Sequence, residues 1–146
     1  MDYLQMMKDR WLVRGDWDAS KVSNLTPQYF WGRQTYLDFR GDLRVHPMIT
    51  LGPNVKLLTA SHDFSQGTLG PTVFKRVWID EGAFVGGFSL LYNCHIKHHA
   101  IVACGAVVRN MTVEPHTIVE GNPAHVTRRF VDGKWIGVER DDDETS

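Results

Sequence analysis

Aliphatic residues recur every six positions through residues 73–108, VFKRVWIDEGAFVGGFSLLYNCHIKHHAIVACGAVV. Val73, Ile79, Val85 and Leu91 head successive blocks, the next block is one residue short, and Ile96, Val102 and Val108 resume the step. Two places before each later head stands a mostly small residue: Val77, Ala83, Ser89, Cys94, Ala100 and Ala106. A period of six is neither the helical period nor the plain alternation of a half-buried strand. It predicts a parallel β-helix, in which each coil sets an aliphatic residue at the same place in a stacked core. The same phase runs upstream through Phe39, Val45, Leu51 and Leu57, with Leu43, Ile49 and Val55 two places before the last three. Sixteen residues separate Leu57 from Val73, four more than two blocks, so a segment loops out between them, starting at Ser61-His62-Asp63.

Around this repeat the chain divides into three parts: a capping segment at 1–36, the solenoid at 37–124 with its loop at 61–76, and an extension with an acidic tail at 125–146. Residues 2–13 read as a short helix, since Leu4, Met7 and Trp11 keep a 3–4 spacing and Gly15 stops it. The stretch 18–36 has little period and is expected to close the open end of the solenoid. Gly52-Pro53-Asn54 marks a coil corner. Gly67, Gly70 and Pro71 argue against regular structure in the loop. Residues 109–124 are expected to leave the solenoid, and 130–138 to form a hairpin about Asp132-Gly133.

Alternation turns Asp42 and Arg44 outward. It does the same for Phe84, Phe88, Leu90 and Tyr92, four large apolar groups that a monomer rarely leaves exposed, which predicts a subunit interface. Charge adds little: 16 basic against 17 acidic residues leave a net −1, with no electrostatic case for nucleic acid. Two cysteines suggest no disulfide framework and a cytoplasmic setting. Neither a signal peptide nor an apolar run long enough for a membrane span is visible.

The repeat, the Ser61-His62-Asp63 entry to the loop, Val77-Trp78-Ile79, Ala83-Phe84-Val85-Gly86 and the closing Val119-Glu120-Gly121-Asn122-Pro123-Ala124 together resemble the hexapeptide-repeat acyltransferases, over roughly residues 38–129. The likeness is greatest to the maltose/galactoside acetyltransferase branch, with its O-acetyltransferases of capsule, colanic-acid and O-antigen pathways. The resemblance implies an all-β, left-handed β-helix, a homotrimer, and transfer of acetyl from acetyl-CoA to a sugar, sugar-nucleotide or polysaccharide acceptor.

His62 stands where the family has its general base, and an imidazole with a reference pKa near 6.5 suits removal of a hydroxyl proton. Gly87, where the family often has serine, would supply the oxyanion-binding amide. Gly87, Ala103, Cys104 and Gly105 would lie along the coenzyme's pantetheine arm, and Arg109, Asn110, Arg128 and Arg129 near its phosphates. The family's usual glycines are absent at Asp80, Lys97 and Ala103. Asp63, to orient His62 or hold the acceptor, Phe64 and Asp42 complete the acceptor side. Cys104 reads as a packing residue.

His95, His98 and His99 invite comparison with the zinc-binding γ-type carbonic anhydrases. That class favours a His-x4-His pattern where this chain has His-x2-His-His, so these side chains are expected to line a cleft or subunit seam, and no metal is assigned. The other readings are a xenobiotic acetyltransferase, an N-acetyltransferase acting on an amino sugar, and a solenoid that only scaffolds partners.

Overall fold

The computed structural model describes residues 11–16 and 32–139. Four stacked coils run round three faces. The first face carries β1 (Trp11–Arg14), β2 (Thr35–Asp38), β5 (Lys56–Leu58) and the first halves of β10 (Leu90–Ile96) and β12 (Val107–Val113), all parallel. The second carries β3 (Asp42–Val45), β8 (Arg76–Ile79) and the second halves of β10 and β12. The third carries β4 (Thr50–Leu51), β9 (Phe84–Val85), β11 (Ile101–Val102) and β13 (Thr117–Gly121). The ladders pair Leu91 with Val108 and Ile96 with Val113, a coil of 17 residues.

The expected inward column is the core. Val77, Ile79, Ala83, Val85, Leu91, Cys94, Ile96, Ala100, Val102, Ala106 and Val108 are all buried, as are Leu43, Val45, Ile49, Leu51, Val55 and Leu57 upstream. Ser89 joins them by donating its hydroxyl to the Ala103 carbonyl. Val73 does not. It is half-buried in β7 (Thr72–Phe74), which pairs antiparallel with β6 (Ala60–His62), and the inward phase resumes at Val77. The loop is therefore a short hairpin, despite its glycines. It leaves at the corner between the first and second faces of the second coil.

Corners turn through left-handed residues. Asn54, Phe88 and Gly105 form one such column between the third and first faces; Gly82, His99 and His116 form another between the second and third. Asp80, Lys97 and Ala103 precede these positions by two and have negative φ, so the corners do not need glycine there. At the hairpin corner the third and fourth coils turn on single asparagines, Asn93 and Asn110, with φ of 47° and 54° and a side-chain hydrogen bond of 2.9 Å between them. That tighter corner explains the short block after Leu91, and the same shortening recurs between Val108 and Val113.

The solenoid consequently continues through β12 and β13, where the sequence predicted departure at residue 109. Beyond it, β14 (Ala124–Val131) turns back antiparallel on β13, and β15 (Lys134–Gly137) on β14. Asp132 and Gly133 form the expected turn, both with positive φ. At the other end, the helix expected over 2–13 gives way to strand at Trp11–Arg14, in parallel register with Thr35–Asp38. Its earlier residues, and most of the expected cap, lie outside the described residues. No helix of the described residues is long and apolar enough to cross a membrane.

Leu90 and Leu91 test which side faces in. Leu91 is fully buried and Leu90 only partly. Leu91→Ala should cost about 2–5 kcal/mol in urea unfolding, as for other buried leucines, and Leu90→Ala much less. Equal losses would contradict the register.

Candidate active site

The hairpin is anchored by a buried acid. Asp38 is fully buried at the end of β2. One carboxylate oxygen accepts from the Arg40 amide at 3.1 Å and Arg40 Nε at 2.8 Å; the other accepts from Arg40 Nη2 at 2.9 Å and the Thr59 amide at 3.1 Å. Thr59 returns a hydroxyl bond to the Asp38 carbonyl and accepts from the Gly41 amide. Lys75, where the chain re-enters the coil, donates its amide to the Thr59 carbonyl at 2.7 Å. Both ends of the hairpin are thus fixed to the first coil. Burial pushes the Asp38 carboxyl up, but the Arg40 and Thr59 hydrogen bonds outweigh it and hold the group below its ordinary value near 3.8.

At the end of β6, exposed His62 places Nδ1 3.0 Å from the Gly70 carbonyl oxygen. A carbonyl only accepts, so Nδ1 carries the hydrogen, and neutral His62 keeps the lone pair on Nε2. Asp63 does not orient it. Its carboxylate accepts the Ser65 amide at 2.9 Å, and its backbone bonds Pro71 and Gly70 across the hairpin tip. Phe64 is exposed with its ring 6.5 Å from that of His62, and Leu69 and Phe74 are exposed on the same hairpin.

Beside the hairpin root, the outer first face forms an open groove of about 300 Å³ lined by Leu58, Ala60, Ser61, Leu90, Tyr92 and Val107, together with Arg109 and Asn110. Two of the expected cofactor contacts therefore lie near the hairpin. Gly87, Ala103, Cys104 and Gly105 do not. They stack at the other end of this face, where the Gly105 amide donates to the Gly87 carbonyl at 2.9 Å. An added Cβ on Gly86 would lie 2.5 Å from the Cys104 nitrogen, and one on Gly87 2.9 Å from Pro53, so the close stacking of this corner depends on glycine. Cys104 is exposed here, against the packing role expected for it; the buried thiol is Cys94, which burial pushes up to about 12. Arg128 and Arg129 are exposed on β14, an extension of the third face.

Asp42 belongs to the second face. Its oxygens accept from Arg44 Nε and Trp78 Nε1, each at 3.0 Å, and the Arg44 and Arg76 guanidinium groups each lie over the Trp78 ring, 4.6 and 4.5 Å from its centroid. His95 is taken up by Asp80 at 2.7 Å. Phe84, Phe88, Leu90 and Tyr92 do not share one face: Phe84 is on the third, Phe88 at the corner, and the other two on the first. Phe84 and Phe88 are exposed, Phe88 at 69%.

Coils with a six-residue inward repeat, closed into a three-sided prism and broken once by a histidine-bearing hairpin, define a hexapeptide-repeat β-helix. No family model and no curated protein matches the chain. Solved structures do. A hexapeptide-repeat-containing acetyltransferase from Vibrio cholerae O1 biovar eltor, complexed with acetyl coenzyme A, is 21% identical with a TM-score of 0.55 over 89% of this chain and 76% of that one. A maltose O-acetyltransferase from Clostridium difficile 630 is 21% identical with a TM-score of 0.54 over 67% of this chain, which spans only 54% of the clostridial protein. A serine-to-alanine mutant of AntD, an N-acyltransferase from Bacillus cereus in complex with dTDP-4-amino-4,6-dideoxyglucose and coenzyme A, is 12% identical with a TM-score of 0.55 over 86% and 88% of the two chains. The shared fold is the left-handed parallel β-helix.

Asp38 was not singled out by sequence; alternation between Leu37 and Phe39 would turn it outward, and only its partners at Arg40 and Thr59 account for its burial. Asp38→Ala should cost roughly 1–3 kcal/mol by stranding the Thr59 amide and the hairpin root. Because the folded pKa is lowered, the carboxylate's contribution is fully present above the ordinary value and is lost as pH falls from there through the lowered one. Wild type should therefore lose stability below about pH 4, and the variant should lose less over that interval. Parallel loss in both would refute the assignment.

Proposed function

We propose that this chain is a coenzyme-A-dependent acetyltransferase that acetylates a sugar hydroxyl, with His62 as general base. The observation that carries the reading is the Nδ1–Gly70 carbonyl contact, which leaves the basic nitrogen of an exposed histidine free. The coenzyme-bound neighbours of the same fold support the acyl donor.

In this mechanism Nε2 removes the proton of the acceptor hydroxyl as its oxygen attacks the thioester carbonyl. A backbone amide at Gly87 steadies the resulting oxyanion. The tetrahedral intermediate then expels the coenzyme thiolate, which takes the proton from the imidazolium. Ala103, Cys104 and Gly105 lie along the pantetheine arm; Arg109, Asn110, Arg128 and Arg129 face its phosphates; Asp63 and Phe64 border the acceptor. No step requires a metal. The setting is the cytosol, in keeping with two unpaired cysteines, and the acceptor belongs to surface-polysaccharide synthesis. N-acetylation of an amino sugar is the second reading, supported by the AntD likeness; the same base serves it.

His62 and Gly87 stand at opposite ends of the first face, so the reaction needs a second copy to bring one chain's hairpin to another's glycine corner. A homotrimer meets that need. Phe88 stands largely exposed at the same glycine corner, where such an interface would cover it. Phe88→Glu should shift the assembly toward monomer in sedimentation, since an interface would then bury an unpaired charge. A wild-type monomer at micromolar concentration would overturn the trimer.

Thiol release from acetyl-CoA across a panel of sugars, sugar nucleotides and amino sugars tests the activity. His62→Ala and His62→Asn should each lower kcat by roughly 10²–10⁴-fold, with coenzyme affinity and assembly unchanged. A variant keeping more than about a tenth of wild-type kcat places the base elsewhere.

A further inference from the structure

The 17-residue coil stacks His99 directly beneath His116, at the corner between the second and third faces. Both have left-handed backbone, φ 59° and 53°, and their rings lie parallel within 2° at 5.1 Å. His98 folds in beside them, with its ring centroid 5.4 Å from that of His116 and its Nδ1 3.2 Å from His99 Nδ1. Gly82 occupies the same corner one coil earlier. A Cβ there would lie 2.5 Å from both Nε2 and Cδ2 of His99, so the glycine makes room for that ring and its edge faces the second coil. His99 Nδ1 is left facing His98. One ring nitrogen from each of the three histidines falls within 4.8 Å of the others.

We propose that His98, His99 and His116 form a binding site for a borderline divalent cation, zinc above all, that ties the corners of the third and fourth coils together. Zn–N bonds of about 2.0–2.1 Å at tetrahedral angles set ligand nitrogens about 3.3 Å apart. The His98–His99 separation of 3.2 Å already meets this. All three side chains are exposed, so rotation can close the remaining gap without disturbing the core. Imidazole nitrogens suit zinc, nickel and copper far better than calcium or magnesium. Three protein ligands leave a fourth position for water or another donor. His95 takes no part, since Asp80 holds it on the second face. The hairpin with His62 leaves from a different corner, so the site is independent of the chemistry proposed above.

The test is equilibrium dialysis of untagged, full-length protein against Zn²⁺, with thermal melting in parallel. Wild type should bind one Zn²⁺ per chain and melt higher with Zn²⁺ than with chelator, since an ion bound only by the folded state stabilises it. His116→Ala and His98→Ala should each weaken binding by more than the roughly 10–100-fold that loss of an outer-shell partner costs, and should abolish the melting shift. His95→Ala should retain both. These exposed histidines lie outside the core, so the variants should melt like chelated wild type, which separates lost ligation from misfolding. Co²⁺ substituted for Zn²⁺ should show the visible absorption of a four-coordinate site in wild type and lose it in His116→Ala. Substoichiometric Zn²⁺ in wild type, or undiminished binding by His116→Ala, overturns the proposal.

Discussion

Everything in this chain depends on the stacking of one coil on the next in register. Amides on each coil donate to carbonyls of the coil beside it: Gly52 to Val85, Gly86 to Val102 and Ala103 to Val119, each at 2.8–2.9 Å along the third face. A parallel ladder of this kind leaves no freedom to slip, because a one-residue shift would turn the aliphatic column outward. Side chains at equivalent positions are therefore forced into columns. Asn93 meets Asn110, Lys97 meets Glu114 at 3.0 Å, and His99 meets His116. What a column can do chemically is fixed by which residues recur every 17 positions.

Departure from the ladder is possible only at a corner, and it leaves backbone groups that must be paired elsewhere. The hairpin at 60–74 meets this cost at its root. A carboxylate buried without partners would be strongly unfavourable; Asp38 accepts four hydrogen bonds, and its carbonyl accepts a fifth from Thr59. The result is a fixed root with an exposed tip. That division suits a catalytic side chain, which needs a defined position but also access to a substrate.

The core was legible in the sequence because its inward positions depend only on local period. Where the chain breaks period, legibility fails for identifiable reasons. Val73 keeps six-residue phase with its successors by coincidence, since hairpin arms also carry β-branched residues. Residues 109–124 read as leaving the repeat because Asn110 shortens its block as Asn93 does. Asp63 is a poor orienter for His62 because successive residues at a strand end point apart. Cys104 reads as packed from its small size, but it stands at the middle of a corner, where side chains turn out. His116 joins His98 and His99 only through the coil length, which the asparagine corners set. The place of His62 at the entry to the hairpin was visible, since it stands at an interruption of a regular repeat.

The separation of His62 from Gly87 has a further consequence. The first face is about three residues wide, so its two corners lie about 10 Å apart, whereas a base and an oxyanion donor must both come within about 3 Å of one reacting centre. Within one chain the rooted hairpin and the glycine corner stand at opposite ends of that face. If the two act together, the contact joins the hairpin corner of one copy to the different, glycine corner of another. Such a contact can be made reciprocally across a twofold axis or head to tail, and head to tail it closes as a ring. Head to tail, a three-sided prism presenting one corner to each neighbour would close as the three-membered ring proposed above. The same constraint that stacks the coils would then divide each reaction site between two chains.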